Sequence, residues 1–322
     1  MIYLNDETIR GIGIDWPRLV GIVEEVAAIK ERGDCAHPLK PYLRFGDPVN
    51  RIIAMPAYVG GSVQAAGIKW VASFPHNRRI GLPRAHNTLI LNDPATGEPV
   101  AFLHSGLLNG LRTAAVSGSI LRAYAAERRP AKVRLGLIGW GPIGRLHLEM
   151  AIALLGDKLE RITLYDLNGM DPGTVPASVR GITDIADDWR PVYRGSSVIA
   201  TCTVAAERYI DEAPPAGALL LNVSLRDYKP DSVAKVKAII VDDWQEVCRE
   251  NTDIEQLHVQ HGLQESDTLT IPQVLFHGAL SRFDAEEPVY FNPMGLAVFD
   301  IGIADYYVGE ALRLGKGTRL KV

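Results

Sequence analysis

The amino-acid sequence predicts an α/β protein in which a doubly wound parallel sheet is inserted into a second α/β domain. Three observations carry that expectation. A strand, a glycine loop and a helix follow one another from Val133 to Leu154; strands alternate with helices or loops from Lys132 onward; and one more apolar-periodic helix comes after the last strand. At 322 residues the chain exceeds one ordinary domain. The expected division is 1–112 plus 294–322 for one domain and 113–293 for the inserted one.

The first observation is the most specific. Val133, Leu135, Leu137 and Ile138 read as a buried strand that runs into Gly139-Trp-Gly141-Pro142-Ile143-Gly144. Leu146, Met150, Ala153 and Leu154 then mark a helix. Strand, G-x-G-x-x-G and helix in that order form the dinucleotide-binding, Rossmann-type fingerprint. Its glycines allow a tight turn, close approach of backbone to a pyrophosphate, and close helix–strand packing. The free N–H groups of the helix start face the phosphates. Arg161–Asp166 reads as the next strand, with Asp166 placed 22 positions beyond Gly144. A carboxylate there accepts the adenosine ribose hydroxyls and repels a 2′-phosphate, and Leu167 and Asn168 add no cation. The expected cofactor is NAD rather than NADP.

In the first domain Asp15-Trp-Pro17 opens a helix, with Asp15 as N-cap. Leu19, Ile22, Val23, Val26 and Ala27 form its stripe, and Gly33 stops it. Residues 51–59 and 64–73 read as strands around Gly60-Gly61. Residues 88–91 and 99–103 flank DPATGE, a turn-rich segment, and predict a hairpin. Residues 106–127 read as a long helix ended by Arg128-Arg129-Pro130. In the inserted domain strands are expected near 133–138, 161–166, 197–202, 218–223 and 238–242. The closing helix runs from Leu296 to Leu314, with Gly315 as its stop, and packs back on the first domain.

Composition bounds the function. Hydrophobic residues make up 47% and charged residues 22%, and the net charge is −4. That balance leaves no electrostatic footprint for nucleic acid or an anionic membrane. No apolar run approaches a membrane span, and the start MIYLNDETIR lacks the features of a signal peptide. Cys35, Cys202 and Cys248 form no CxxC, and no Cys or carboxylate pair joins His258 and His261. A reduced, cytoplasmic protein without a metal site is expected.

The candidate chemistry lies in two places. Arg44, Arg51, Lys69, Arg84 and Arg112 concentrate cations near small-residue turns of the first domain. An Arg fork with a Lys point charge suits an amino-acid carboxylate. Lys69 sits in an otherwise apolar strand, where a charge is costly unless paired or functional. In the inserted domain, Ala200-Thr201-Cys202-Thr203 and Asn222-Val223-Ser224-Leu225-Arg226-Asp227 fall at expected strand C-termini, where open α/β sheets bind ligands. Asp227 is placed to hold or deprotonate an amine. The expected cofactor contacts are Thr113, Gly139, Gly141, Pro142, Ile143, Gly144, Asp166, Thr201, Cys202, Thr203, Val223 and Ser224.

Lys69, LRTAAVSG (111–118), GLIGWGPIG (136–144), the Thr-Cys-Thr loop and Asp227 together resemble the ornithine cyclodeaminase/mu-crystallin family, over nearly the whole chain. HPLKPYLR (37–44), RIIAMPAYVGG (51–61), GIKWVAS (67–73), LILNDP (89–94), IVDDWQEVCRE (240–250) and NPMGLA (292–297) are similar to one branch of it. That branch comprises dehydrogenases of aminocarboxyethyl-glutamate that make 2,3-diaminopropionate for siderophores and antibiotics.

The resemblance implies a homodimer with a substrate and dimerisation domain and an NAD domain. Arg44, Lys69 and Arg112 would bind substrate carboxylates, and Asp227 would sit at the reacting carbon. It further implies oxidation of a secondary amine, with hydride leaving the glutamate Cα and water hydrolysing the imine. Two departures stand out. FHGALSRFDAEEP (276–288) alters a glycine-rich loop of relatives, and Met55 occupies about the place of an acidic residue that cyclodeaminases use for the side-chain amine. Ornithine or lysine cyclodeamination, another amino-acid dehydrogenase or ketimine reductase, and a binding protein of mu-crystallin type are the alternatives.

Overall fold

The computed structural model describes residues 1–321 and divides the chain into two compact units, Met1–Ala115 with Gly295–Val322 and Val116–Met294. The chain passes from the first to the second within the helix Gly106–Arg128. These limits lie a few residues from 112/113 and 293/294.

Unit 1 is built on an eight-stranded mixed sheet. In spatial order its strands are Thr318–Arg319, Ile2–Asn5, Pro99–His104, Ala85–Asn92, Ala65–Ser73, Arg51–Val59 and Cys35–Ala36, and Tyr42–Arg44 also pairs with Arg51–Val59. Only the pairing of Ile2–Asn5 with Pro99–His104 is parallel. The hairpin around Asp93 forms as expected, because the Asp93 carboxylate accepts the Ala95 and Thr96 N–H groups and holds the turn. Asp15 caps the helix Trp16–Glu31 by accepting the Arg18 N–H at 3.0 Å. This helix and Ala297–Arg313 pack together, and Ala297–Arg313 lies on the central strands. Four short strands of this unit escaped the sequence reading: Ile2–Asn5, Cys35–Ala36, Tyr42–Arg44 and Thr318–Arg319. They are too short to show periodicity, and only pairing to longer neighbours defines them.

Unit 2 holds an eight-stranded sheet in which every pairing is parallel. Across it lie Thr183–Ile185, Leu159–Tyr165, Val133–Ile138, Val198–Thr201, Leu219–Asn222, Val289–Asn292, Ala238–Val241 and Thr268–Thr270. The five expected strands are all present. Their near-continuous apolar runs match strands buried on both faces. The order reverses between Val133–Ile138 and Val198–Thr201, which makes their C-terminal ends the switch point where open sheets bind ligands. Val289–Asn292 enters between Leu219–Asn222 and Ala238–Val241, an order that sequence succession does not reveal.

Candidate active site

In unit 1 the strand Ala65–Ser73 carries Lys69, and Met55 is its direct cross-strand partner. Lys69 is 3% exposed and Arg112 7%. Both meet Asp300, which lies in the first turn of Ala297–Arg313 and is 1% exposed. Asp300 Oδ1 accepts from Lys69 Nζ at 2.8 Å and from Arg112 Nε at 3.0 Å. Asn109 Oδ1 accepts from Lys69 Nζ at 2.6 Å and from Arg112 Nη2 at 3.4 Å. Asn109 and Arg112, three apart on a helix, share one face, so a single helix presents both to Lys69.

Two cations around one carboxylate leave one positive charge in the cluster. Burial lowers the Lys69 pKa to about 8; Asp300 opposes the shift, while Arg112 and Lys40 add to it. Burial alone would raise Asp300, but the charges of Arg112 and Lys69 and their hydrogen bonds hold it below the usual carboxylate range. Asp300 Oδ2 is buried and has no donor among the described residues.

The NPMG stretch acquires a physical reason here. Gly295 adopts φ +88, and a Cβ on it would stand 2.6 Å from Arg112 Nη1. Lys40 Nζ donates to the Gly295 carbonyl at 2.9 Å. Only glycine lets the guanidinium lie this close to the backbone.

In unit 2 the glycine loop follows Val133–Ile138, and Pro142–Leu155 is the helix, with Gly141 as N-cap and Pro142 at its start. Gly139 adopts φ +102, and a Cβ there would meet the Cys202 carbonyl group at 2.7 Å. A Cβ on Gly144 would stand 2.0 Å from the Gly139 carbonyl oxygen, so the loop and helix close together only with glycine at both. A Cβ on Gly141 would meet nothing within 4 Å. That open space lies over the helix start, as a diphosphate requires. Asp166, just past Leu159–Tyr165, accepts the Trp140 N–H at 2.7 Å and the Asn168 N–H at 2.9 Å. It therefore braces the loop.

Asp227 is fully buried. Its Oδ1 accepts from Thr203 Oγ1 at 2.6 Å, its Oδ2 accepts from Ser224 Oγ, and the Tyr209 hydroxyl lies beside it. Burial raises its pKa, and these hydroxyls work against the rise. Ser224 Oγ also lies 3.1 Å from Thr201 Oγ1, so Thr201, Thr203, Ser224 and Asp227 form one polar group at the strand ends. Val223 lies in the same turn, its N–H donating to Leu221 O at 3.0 Å. Cys202 lies between the two threonines, its thiol pushed up by burial and by Asp227.

The remaining expected residues are more dispersed. Thr113 donates its hydroxyl to Asn109 O at 2.7 Å, and Ile143 O pairs with His147 Nδ1 at 2.8 Å. Arg44 is exposed and is the cross-strand partner of Arg51 at the edge of the unit 1 sheet.

Two carboxylates of these clusters escaped the sequence reading. Asp300 is the one carboxylate in the apolar run LAVFDIGIA, and that isolation was the available signal. Asp253 gave none. It is fully buried, accepts from Arg208 Nε at 2.7 Å and Asn222 Nδ2 at 2.9 Å, and receives the N–H groups of Asp227 and Tyr228 at 3.2 Å. It thereby anchors the turn that carries Asp227, including Leu225 at φ +65. Burial raises Asp253 to about 6, against the opposing pull of Arg208.

Known proteins share this architecture. The chain is 31% identical to the N-((2S)-2-amino-2-carboxyethyl)-L-glutamate dehydrogenase of Staphylococcus aureus, over 100% of this chain and 98% of that protein. It is 27% identical to a Delta(1)-pyrroline-2-carboxylate reductase of Bacillus cereus, covering 88% of this chain and 89% of the relative. Among solved structures, the Thermococcus litoralis Delta(1)-pyrroline-2-carboxylate reductase in complex with NADH and L-proline superposes with a TM-score of 0.88. Its identity is 23%, with 99% of this chain and 100% of that one covered. A sequence profile of the ornithine cyclodeaminase/mu-crystallin family matches residues 10–314. With that profile spanning nearly the whole chain and the site motifs in place, the chain belongs to the ornithine cyclodeaminase/mu-crystallin family.

Proposed function

We propose that the chain is an NAD-dependent oxidoreductase acting on an amino-acid CH–NH bond, with N-(2-amino-2-carboxyethyl)-L-glutamate as its substrate. The observation that carries this reading is the buried Lys69–Arg112 pair around a single carboxylate. It occurs in a chain 31% identical, along its whole length, to a dehydrogenase of that substrate. The secondary amine, NAD⁺ and water become 2-oxoglutarate, 2,3-diaminopropionate, NADH and a proton.

Bound NAD supplies the hydride acceptor. The Arg112 guanidinium draws a substrate carboxylate, and its fork orients it. As the neutral amine, Lys69 gives both of its N–H donors to Asn109 and Asp300 and keeps its lone pair for substrate. Its lowered pKa lets it take the proton from the substrate ammonium, freeing the lone pair that expels hydride from the glutamate Cα. Asp227, held among hydroxyls, accepts a proton from the water that attacks the imine carbon. With Lys69 as base, kcat/KM rises through pH about 8 as the amine loses its proton. A profile that falls through the same pH instead makes the charged ammonium the working form.

Asp166 governs cofactor choice in this reading. Asp166→Ala is expected to weaken NAD binding about 10-fold and to narrow the preference over NADP, because one charged hydrogen-bond acceptor is lost. Unchanged cofactor preference in a titration with both nucleotides reduces Asp166 to a loop brace.

Cyclodeamination is the second reading. The strand Arg51–Val59 contains no Asp or Glu and sets Met55 opposite Lys69, so it offers no carboxylate to a side-chain amine. The deciding experiment monitors NADH absorbance with the glutamate conjugate, ornithine, lysine, alanine and glutamate, with ammonia assayed in parallel. NADH and 2-oxoglutarate from the conjugate alone support the dehydrogenase. Ammonia at a flat NADH signal supports the cyclodeaminase, and silence throughout supports a binding protein.

A second copy of the chain is the partner we assign to the sheet face of unit 1 opposite Lys69. Tyr3, Ile68, Ile90 and Phe102 form an apolar row across four strands there, and Trp70 beside it is 41% exposed.

A further inference from the structure

We propose that a small cavity beside Lys69 is a binding site for one water molecule, and that this water, Ser105 and Asp6 form a proton exit from Lys69 to solvent. The exit rests on the reading of Lys69 as the base and follows its proton onward.

Strand register builds the site. Lys69 pairs with Leu89, Val71 with Asn87, and Leu89 with Leu103. Directly paired residues share a face, and side chains alternate along each strand. Lys69, Asn87, Leu89 and Leu103 therefore lie on one side of the unit 1 sheet. The chain leaves the sheet after His104, with the Ser105 N–H donating to Asn87 O at 3.1 Å. Ser105 then opens the helix Gly106–Arg128 by accepting the Leu108 N–H on Oγ at 2.8 Å, and Asn109 lies in the first turn. Asp300 reaches Lys69 from the helix Ala297–Arg313.

Lys69, Asn87, Ser105, Asn109 and Asp300 line a cavity of about 10 Å³ whose other lining residues are leucines and Thr88. That is close to the space one water molecule needs. Two atoms of these residues call for a donor. Asn87 Oδ1 and Asp300 Oδ2 are buried acceptors, and neither has one among the described residues. An acceptor left so carries the full desolvation penalty of its group. Two such acceptors match the two O–H groups of a single water, whose oxygen accepts an N–H when the Lys69 ammonium turns toward it.

Ser105 links the cavity to the surface. Its hydroxyl donates to Asp6 Oδ1 at 2.5 Å, and Asp6 is exposed. Of the two lone pairs on Ser105 Oγ, the Leu108 N–H uses one, and the other suits an O–H from the water. The proton that Lys69 takes from the substrate ammonium passes to the water, which gives one of its own to Ser105 Oγ. Ser105 gives its hydroxyl proton to the Asp6 carboxylate, and Asp6 releases it to solvent. Lys69 returns to the neutral amine, and the water and Ser105 are regenerated.

The test follows a single turnover of the glutamate conjugate with NAD in weakly buffered solution, with NADH read by absorbance and the proton by an indicator dye. In wild type the proton is expected in step with NADH. In Asp6→Asn it is expected to trail that variant's own NADH signal about 10-fold or more, as loss of a positioned proton acceptor predicts. Asn keeps an oxygen for the Ser105 hydroxyl and the Leu107 N–H, so the lag reports lost basicity rather than damage to the helix start. Ser105→Ala lags likewise, whereas Ser105→Thr, which keeps the hydroxyl, does not. A proton in step with NADH in Asp6→Asn and Ser105→Ala, or one that trails NADH in wild type, overturns the exit. A high-resolution crystal structure tests the water site by itself. One water within hydrogen-bond distance of Asn87 Oδ1 and Asp300 Oδ2 is expected, and a dry cavity overturns the proposal even where NADH forms. If the water is present but no amine yields NADH, the amine-oxidation reading fails and takes the exit with it, while the water site stands.

Discussion

Lys69→Ala is expected to lower kcat/KM by about 10³-fold, within the range for loss of a positioned general base. Arg112→Ala should act at least as strongly through loss of carboxylate orientation, since misplacing a substrate by about 1 Å costs on the order of 10²-fold. Neither residue belongs to the unit that carries the glycine loop, so NADH binding should survive in both variants. Stopped-flow turnover and NADH fluorescence titration together read the outcome. Turnover within a factor of about ten of wild type in either variant, small against a base's contribution, removes that residue from the proposed clamp. Loss of NADH binding in both would show that the substitution damages the fold rather than the chemistry.

Asp300→Asn carries the largest expected effect on stability. It keeps the shape of the side chain but removes the only negative charge shown between Lys69 and Arg112. Breaking a buried ion pair from one side leaves an uncompensated charge and costs about 3–5 kcal/mol. The remaining cations repel one another, so the Lys69 pKa falls further below about 8 and its kinetic limb moves to lower pH. Adding Lys69→Met to Asp300→Asn should recover part of the lost stability, because it removes the charge left stranded. Denaturant midpoints of the two single variants and the double variant measure that coupling. Strictly additive losses would mean that Lys69 and Asp300 do not act on each other.

Much of unit 2 was legible before any coordinates. The glycine loop, the five strands and the position of Asp166 follow from local spacing and apolar periodicity, which a parallel sheet buried on both faces displays directly. Asp227 was legible as a residue just past a strand. Its environment was not, because Thr203, Ser224 and the Asp253 anchor reach it from separate turns. In unit 1, Lys69 stood out as a charge in an apolar strand, and Arg112 as a cation among small residues. That both close on Asp300 could not be read from the chain, since 188 positions separate Arg112 from it. The strand Val289–Asn292 was missed for a related reason: four residues carry little period, and their place between two earlier strands is set by packing.

By itself, then, the sequence determined the local matters: which segments are strands and helices, where glycine permits backbone approach, and which charges stand in apolar surroundings. Each depends on a few neighbouring residues whose sterics and periodicity are written in order along the chain. The tertiary structure alone decided the partners of those charges and the state of Lys69. Those depend on burial and on distances between segments far apart in the chain, and Coulomb and desolvation energies respond to separation in space rather than in sequence.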